Sequence, residues 1–193
     1  MKFIKHALAA IAALAIITPA LASTTPLNPK AAPQLERSTA DHSKFKELQQ
    51  TFTSGPEVTK ACLACHNTAG HQVMKSIHWT WEANSPTTGK KLGKKWAANN
   101  FCGSIISNET RCTSCHAGYG WKDKDYDFTD QNNVDCLACH DTTGTYKKFG
   151  TDAGHPLYAD REFEPMEGPP GKKQFKAPDL SKIAQHVGQP GRG

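Results

Sequence analysis

Apolar residues are unevenly spread along this chain, and the places where they recur with a period define most of its expected elements. An unbroken apolar run from Ala7 to Ile17 stands behind Lys2, Lys5 and His6. Further on, Phe45, Leu48 and Phe52 recur at helical spacing in DHSKFKELQQTF, with Asp41 placed to cap a helix. Ser54, Pro56 and Glu57 form a helix start: Ser54 caps, Pro56 suits the first turn and Glu57 completes a capping box. Residues 70–82, GHQVMKSIHWTWE, predict another helix, followed by a loop at 83–95. Asp130 to His140 reads as a short helix. Residues 161–178 hold four prolines and read as irregular. Asp179 caps a last helix in DLSKIAQHV, with Leu180, Ile183 and Val187 on one face. No run alternates as a strand does, so the expected fold is mainly α with much irregular loop and little or no β-sheet.

The first apolar run is too short to cross a bilayer comfortably, and Pro19 interrupts the stretch. Ala20-Leu21-Ala22 supplies a small-residue cleavage site, so residues 1–22 read as a signal peptide. Residues 23–40 are rich in Pro, Ala and Ser and predict an extended segment. Residues 41–193 form the remaining region, which an export signal places in the periplasm.

Composition sharpens this picture. Hydrophobic residues make up 37% of the chain, below the ~45–50% of ordinary globular domains. Side chains alone then bury a thin core, and something else is expected to fill the middle. The net charge is +5, with lysines gathered in TGKKLGKKW at 88–96 and GKKQFK at 171–176. These clusters read as solvated loops, or as a basic face for an anionic partner. No nucleic-acid recognition motif is present, and an exported chain is a poor candidate for one.

Six of the seven cysteines fall in one phrase written three times: CLACH at 62–66, CTSCH at 112–116 and CLACH at 136–140. Zinc sites and thioredoxin-like redox pairs both use C-x-x-C. Neither explains a histidine directly after the second cysteine in every copy. Covalent haem attachment does: the two thiols bond to one porphyrin, and the next residue's imidazole reaches the iron. Three haem c groups are expected, on Cys62 and Cys65 with His66, on Cys112 and Cys115 with His116, and on Cys136 and Cys139 with His140. Three large flat apolar cofactors also supply the missing core, so folding is expected to depend on them.

Each iron has a second axial position. Five histidines remain outside the motifs and the leader: His42, His71, His78, His155 and His186. His78 lies in IHWTW beside Trp79 and Trp81, His155 in a GHP turn and His42 at a capped helix start, and these three are the preferred distal ligands. Met74 and Lys122 are weaker candidates. Two histidines give an electron-passing iron, whereas an open position permits substrate reduction. Cys102, the seventh cysteine, is either a buried free thiol or a reactive thiol near a haem.

The phrases DHSKFKEL, GPEVTKACLACH, SIHWTWE, NNFCGSIISN, RCTSCHAGYGWKD and NVDCLACHDTTGTY resemble the N-terminal part of the octahaem tetrathionate reductase family of c-type cytochromes. The resemblance runs from about Asp41 to the C-terminus. It implies a mainly helical periplasmic scaffold with eight haems, most of them bis-histidine relays. One active-site haem carries a lysine ligand from outside its motif. It further implies reduction of tetrathionate and, less selectively, of nitrogen oxyanions or hydroxylamine.

By position the three motifs match the family's first three. His42, His78 and His155 then match distal ligands, Cys102 a cysteine near the active site, and the haem at Cys112 and Cys115 the catalytic one. Eight motifs are expected and three are present, so no residue here is assigned the active-site lysine. The leading expectation is the N-terminal portion of a reductase that needs its remaining haem region. The alternatives are a self-standing trihaem electron carrier without catalytic activity and a subunit completed by a second chain, including a homo-oligomer. Expected partners are a periplasmic or membrane electron donor and, for an enzyme, a small inorganic anion.

Overall fold

The computed structural model describes residues 40–96, 98–99, 103–164 and 171–188. The proposed signal peptide and nearly all of the 23–40 segment lie outside the described residues, as does Cys102. Short helices and turns joined by irregular loop make up the structure, as the apolar pattern predicts. The helices are α1 (Gly55–Cys65), α2 (Ala69–Met74), α3 (Ile77–Thr80), α4 (Glu109–Cys112), α5 (Leu137–His140) and α6 (Leu180–Gln185). Three small antiparallel ladders pair β1 (Ala83–Asn84) with β2 (Lys91–Leu92), β3 (Ala98–Asn99) with β4 (Gly103–Ser104), and β5 (Arg161–Phe163) with β6 (Lys173–Phe175). No described helix is long and apolar enough to cross a membrane.

Two apolar clusters organise these pieces. One joins Leu48, Phe52, Val58, Leu137, Leu180, Ile183 and Ala184, so α1, α5 and α6 share it. The other joins Trp81, Ile105 and Trp121, flanked by Cys112, Tyr126 and Phe128. The capping box at Ser54 and Glu57 is present, and Asp179 caps α6 through the Lys182 amide at 3.0 Å.

Five expectations of local structure are corrected, the first being the loop at 83–95, which folds back on itself to pair β1 with β2. Residues 41–52 are not one helix but two 3-10 turns, His42–Lys44 and Lys46–Leu48, split by Phe45 in extended conformation. The reason is tertiary. Leu48 carbonyl accepts from Gln185 Nε2 at 3.0 Å, and Phe52 N–H donates to Ser181 Oγ at 2.9 Å, which diverts backbone groups to α6. The helix expected over 70–82 breaks at Ser76, whose backbone is extended, and ends at Trp81 with φ of 51°. That break turns both Trp79 and Trp81 inward.

Asp130 to His140 likewise divides, into a 3-10 turn at Gln131–Asn133, an extended Val134 and then α5. Val134 bridges Gly118, and Asp135 N–H donates to Ala117 carbonyl at 3.0 Å, so this stretch pairs with the exit of the second motif. Finally, the stretch expected to be irregular contains β5 and β6. Phe163 and Phe175 pack there on Phe149, with ring centroids 5.1 and 5.7 Å from it.

Candidate functional site

The first motif ends α1. Its Ser54 cap starts the helix, and His66 N–H donates to Cys62 carbonyl at 2.8 Å, so the last turn carries both thiols and the imidazole together. Cys62 is half-buried against the first apolar cluster, while Cys65 and His66 are exposed. His42 is brought to His66 by the turn that Asp41 caps. The two rings have centroids 6.2 Å apart and planes inclined by 22°. Two imidazoles ligating one metal at ~2 Å from each nitrogen, with about 1 Å more to each ring centre, place their centroids roughly 6 Å apart. The separation of the pair thus equals that of two imidazoles on one iron, and its ring planes are close to parallel. Burial first, then the neighbouring His66 and His140, holds His42 below the ordinary imidazole value, which favours the neutral, ligating form.

The third motif occupies α5. Asp135 Oδ1 accepts from Ala138 N–H at 3.0 Å and so holds the turn that carries Cys136, Cys139 and His140. His140 is exposed, and its Nδ1 lies 2.6 Å from Gly188 carbonyl, while Gly188 N–H donates back to His140 carbonyl at 2.9 Å. A backbone acceptor on Nδ1 fixes the tautomer and leaves Nε2 for a metal. This motif also fits a haem. The Cys62 and Cys136 side chains interact across the two motifs, which lowers the first thiol and raises the second.

The second motif is different. It spans α4 and the 3-10 turn Thr113–Cys115, where Thr113 and Ser114 are buried. His116 is 1% exposed and sits in an aromatic box. The rings of Trp79, Trp81, Trp121, Tyr126 and Phe128 have centroids 4.8–5.9 Å from its own. Its Nε2 is 2.8 Å from Trp79 carbonyl, and its buried Nδ1 has no hydrogen-bond partner. Burial pushes His116 down to about 4, so the ring is neutral. In this arrangement both nitrogens are enclosed, and His116 does not fit a haem iron.

The remaining candidates are scattered. His78 is exposed on α3, with its carbonyl accepting from Ala117 N–H at 3.3 Å, beside the exit of the second motif. Trp79 and Trp81 are buried away from it, so the apolar surroundings expected for His78 belong to His116 instead. His155 is half-buried, stacked on Tyr119 at 5.6 Å, with Nδ1 2.8 Å from Tyr158 hydroxyl. His71 and Lys122 are exposed, Met74 is half-buried, and His186 Nδ1 is 2.8 Å from Lys182 carbonyl. Among the described residues no three His, Cys, Asp or Glu side chains converge on a metal-sized site.

Sequence reasoning passed over a polar cluster between the second and third motifs: Asp135, Lys148, Tyr119 and Tyr146. The one available signal was an acidic residue directly before Cys136.

No protein-family model matches the sequence. The chain is similar to the crystal structure of octahaem cytochrome c from Shewanella oneidensis, with a TM-score of 0.63 and 46% identity. That likeness covers 78% of this chain and 30% of the octahaem protein. The chain is also 26% identical over 141 residues to an uncharacterized protein of Archaeoglobus fulgidus, covering 55% of this chain and 47% of that relative. It therefore spans less than half of either, and its fold is that of a multihaem cytochrome.

Proposed function

We propose that this chain is an exported c-type cytochrome that binds haem covalently at its three C-x-x-C-H motifs and passes electrons, as the N-terminal portion of an octahaem reductase. The observation that carries the haem reading is the 6.2 Å separation of the His42 and His66 ring centroids, that of two imidazoles on one iron, at the end of a helix presenting two thiols. The likeness to an octahaem cytochrome c supports it independently. For the first and third motifs the geometry adds to the spacing; for the second the motif alone argues. A haem there is held by the Cys112 and Cys115 thioethers, with its iron ligated from outside the motif unless His116 turns away from Trp79 carbonyl.

The residues divide the work as follows. Cys62, Cys65, Cys136 and Cys139 supply thioether sulfurs, and His66 and His140 supply motif-side nitrogens. His42 is the distal ligand of the first motif, with His78 and His155 available to the others. Bound haem supplies one-electron transfer, and an iron with an open position supplies reduction of a small anion. Gly188 carbonyl orients His140, and Asp135 holds the turn beneath it. Reduction of tetrathionate, hydroxylamine or nitrogen oxyanions follows from the resemblance of the motif-bearing phrases to the tetrathionate reductase family.

The test is to express the native locus in a host that matures c-type cytochromes and take the intact mass of the periplasmic product. Turnover of tetrathionate and hydroxylamine with a reduced dye is then measured. A long chain with eight haems and turnover supports the reductase. A product of this length with three haems and no turnover makes it a self-standing carrier. A product without haem overturns both.

A further inference from the structure

We propose that Asp135 and Lys148 form an internal charge pair that sets the reduction potential of the haem at the third motif and fixes that motif against the second. The inference rests on reading Cys136–His140 as a haem motif.

The Asp135 side chain is fully buried, and that of Lys148 is 14% exposed. Four donors converge on the carboxylate: Tyr119 hydroxyl at 2.8 Å, Tyr146 hydroxyl at 2.9 Å, Ala138 N–H at 3.0 Å and Lys148 Nζ at 3.1 Å. Lys148 Nζ also donates to Gly118 carbonyl at 3.0 Å and to His116 carbonyl, so all its protons are directed inward. Burial and the Asp135 charge both push the Tyr119 and Tyr146 phenols up, which keeps them as neutral donors. A buried ion pair is weak as a source of stability, because desolvation offsets most of the attraction. What this one supplies is position and field. Lys148 ties the two carbonyls at the exit of the second motif to the residue that precedes Cys136, while Asp135 holds the α5 turn.

A fixed charge in a low-dielectric interior acts strongly on a neighbouring redox centre. A carboxylate beside Cys136 stabilises the more positive, oxidised iron and lowers its potential. The ammonium opposes it. Neutralising each partner in turn should therefore move one potential in opposite directions, whereas loosened packing carries no such sign.

The experiment is a spectroscopic redox titration of the full haem-loaded protein and its variants, with haem count checked by intact mass. Asp135→Asn is expected to raise one midpoint potential, and Lys148→Met to lower the same one. Lys148→Arg is expected to restore it. Tyr146→Phe keeps the fold's shape and removes one donor from the carboxylate, so it is expected to shift that potential downward. It carries the test if the charge variants load haem poorly. Shifts of one sign in Asp135→Asn and Lys148→Met, or no shift in a fully loaded Tyr146→Phe, overturn the proposal. A parent protein without haem on Cys136 and Cys139 overturns it together with the haem reading, and the masses of the proteolytic peptides that carry haem distinguish that case.

Discussion

His42 and His66 lie with ring centroids 6.2 Å apart and planes inclined by 22°, although one lies in a 3-10 turn and the other caps α1. Neither segment makes this pair alone. The N-terminal turn is pinned to α6 by Leu48 and Phe52, and α6 packs on α1 through the shared apolar cluster.

If one iron sits between these rings, His42→Ala leaves it without its distal ligand. Electron paramagnetic resonance of the oxidised protein is expected to show one haem converted from low spin to high spin, with the haem count unchanged. A fully low-spin spectrum assigns the distal position to another residue.

Replacing Cys62 and Cys65 together by serine removes both covalent bonds at the first motif. The intact mass is expected to fall by one haem. The thermal unfolding midpoint is expected to drop too, because Cys62 packs on the cluster shared by α1, α5 and α6. An unchanged mass rejects the motif assignment.

Thr59 is fully buried and donates from Oγ1 to Val134 carbonyl at 2.6 Å, joining α1 to the approach of the third motif. Thr59→Val keeps the volume and strands that carbonyl, which is expected to destabilise the folded protein by about 1–3 kcal/mol. Denaturant unfolding of the haem-loaded protein measures it, and Thr59→Ser should recover most of the loss.

Gly118 admits no side chain. A Cβ there meets Trp79 at 2.7 Å and Asn133 carbonyl at 2.8 Å, the latter being backbone. Gly118→Ala is expected to part the exit of the second motif from residues 133–135, at a cost of about 1–3 kcal/mol in the same unfolding measurement.

The aromatic box around His116 predicts a pH dependence. In Cys112→Ser/Cys115→Ser, which lacks the covalent second haem, His116 remains buried and neutral. Its folded value of about 4 lies below the unfolded ~6.5, so the unfolded chain binds the proton first. Stability is therefore fully present above pH ~6.5. It falls as pH drops toward about 4, by up to about 3 kcal/mol. Adding His116→Phe should flatten that slope in unfolding curves taken across the range.

The sequence carries openly what depends on neighbours a few residues apart. The capping box at Ser54 and Glu57 and the Asp179 cap are local chemistry. Each reads the same in the sequence and in the structure. It did not determine where the chain bends. Helical periodicity over 41–52 and 70–82 was real, yet Phe45 and Ser76 are extended, because hydrogen bonds to α6 and the burial of two tryptophans outweigh a few residues of helix propensity. Tertiary structure alone decided that His42 meets His66, that the tryptophans beside His78 enclose His116, and that Lys148 reaches Asp135. Those pairings lie many residues apart, and no local pattern encodes them. They follow from two apolar clusters closing around a chain too poor in hydrophobic residues to form one large core.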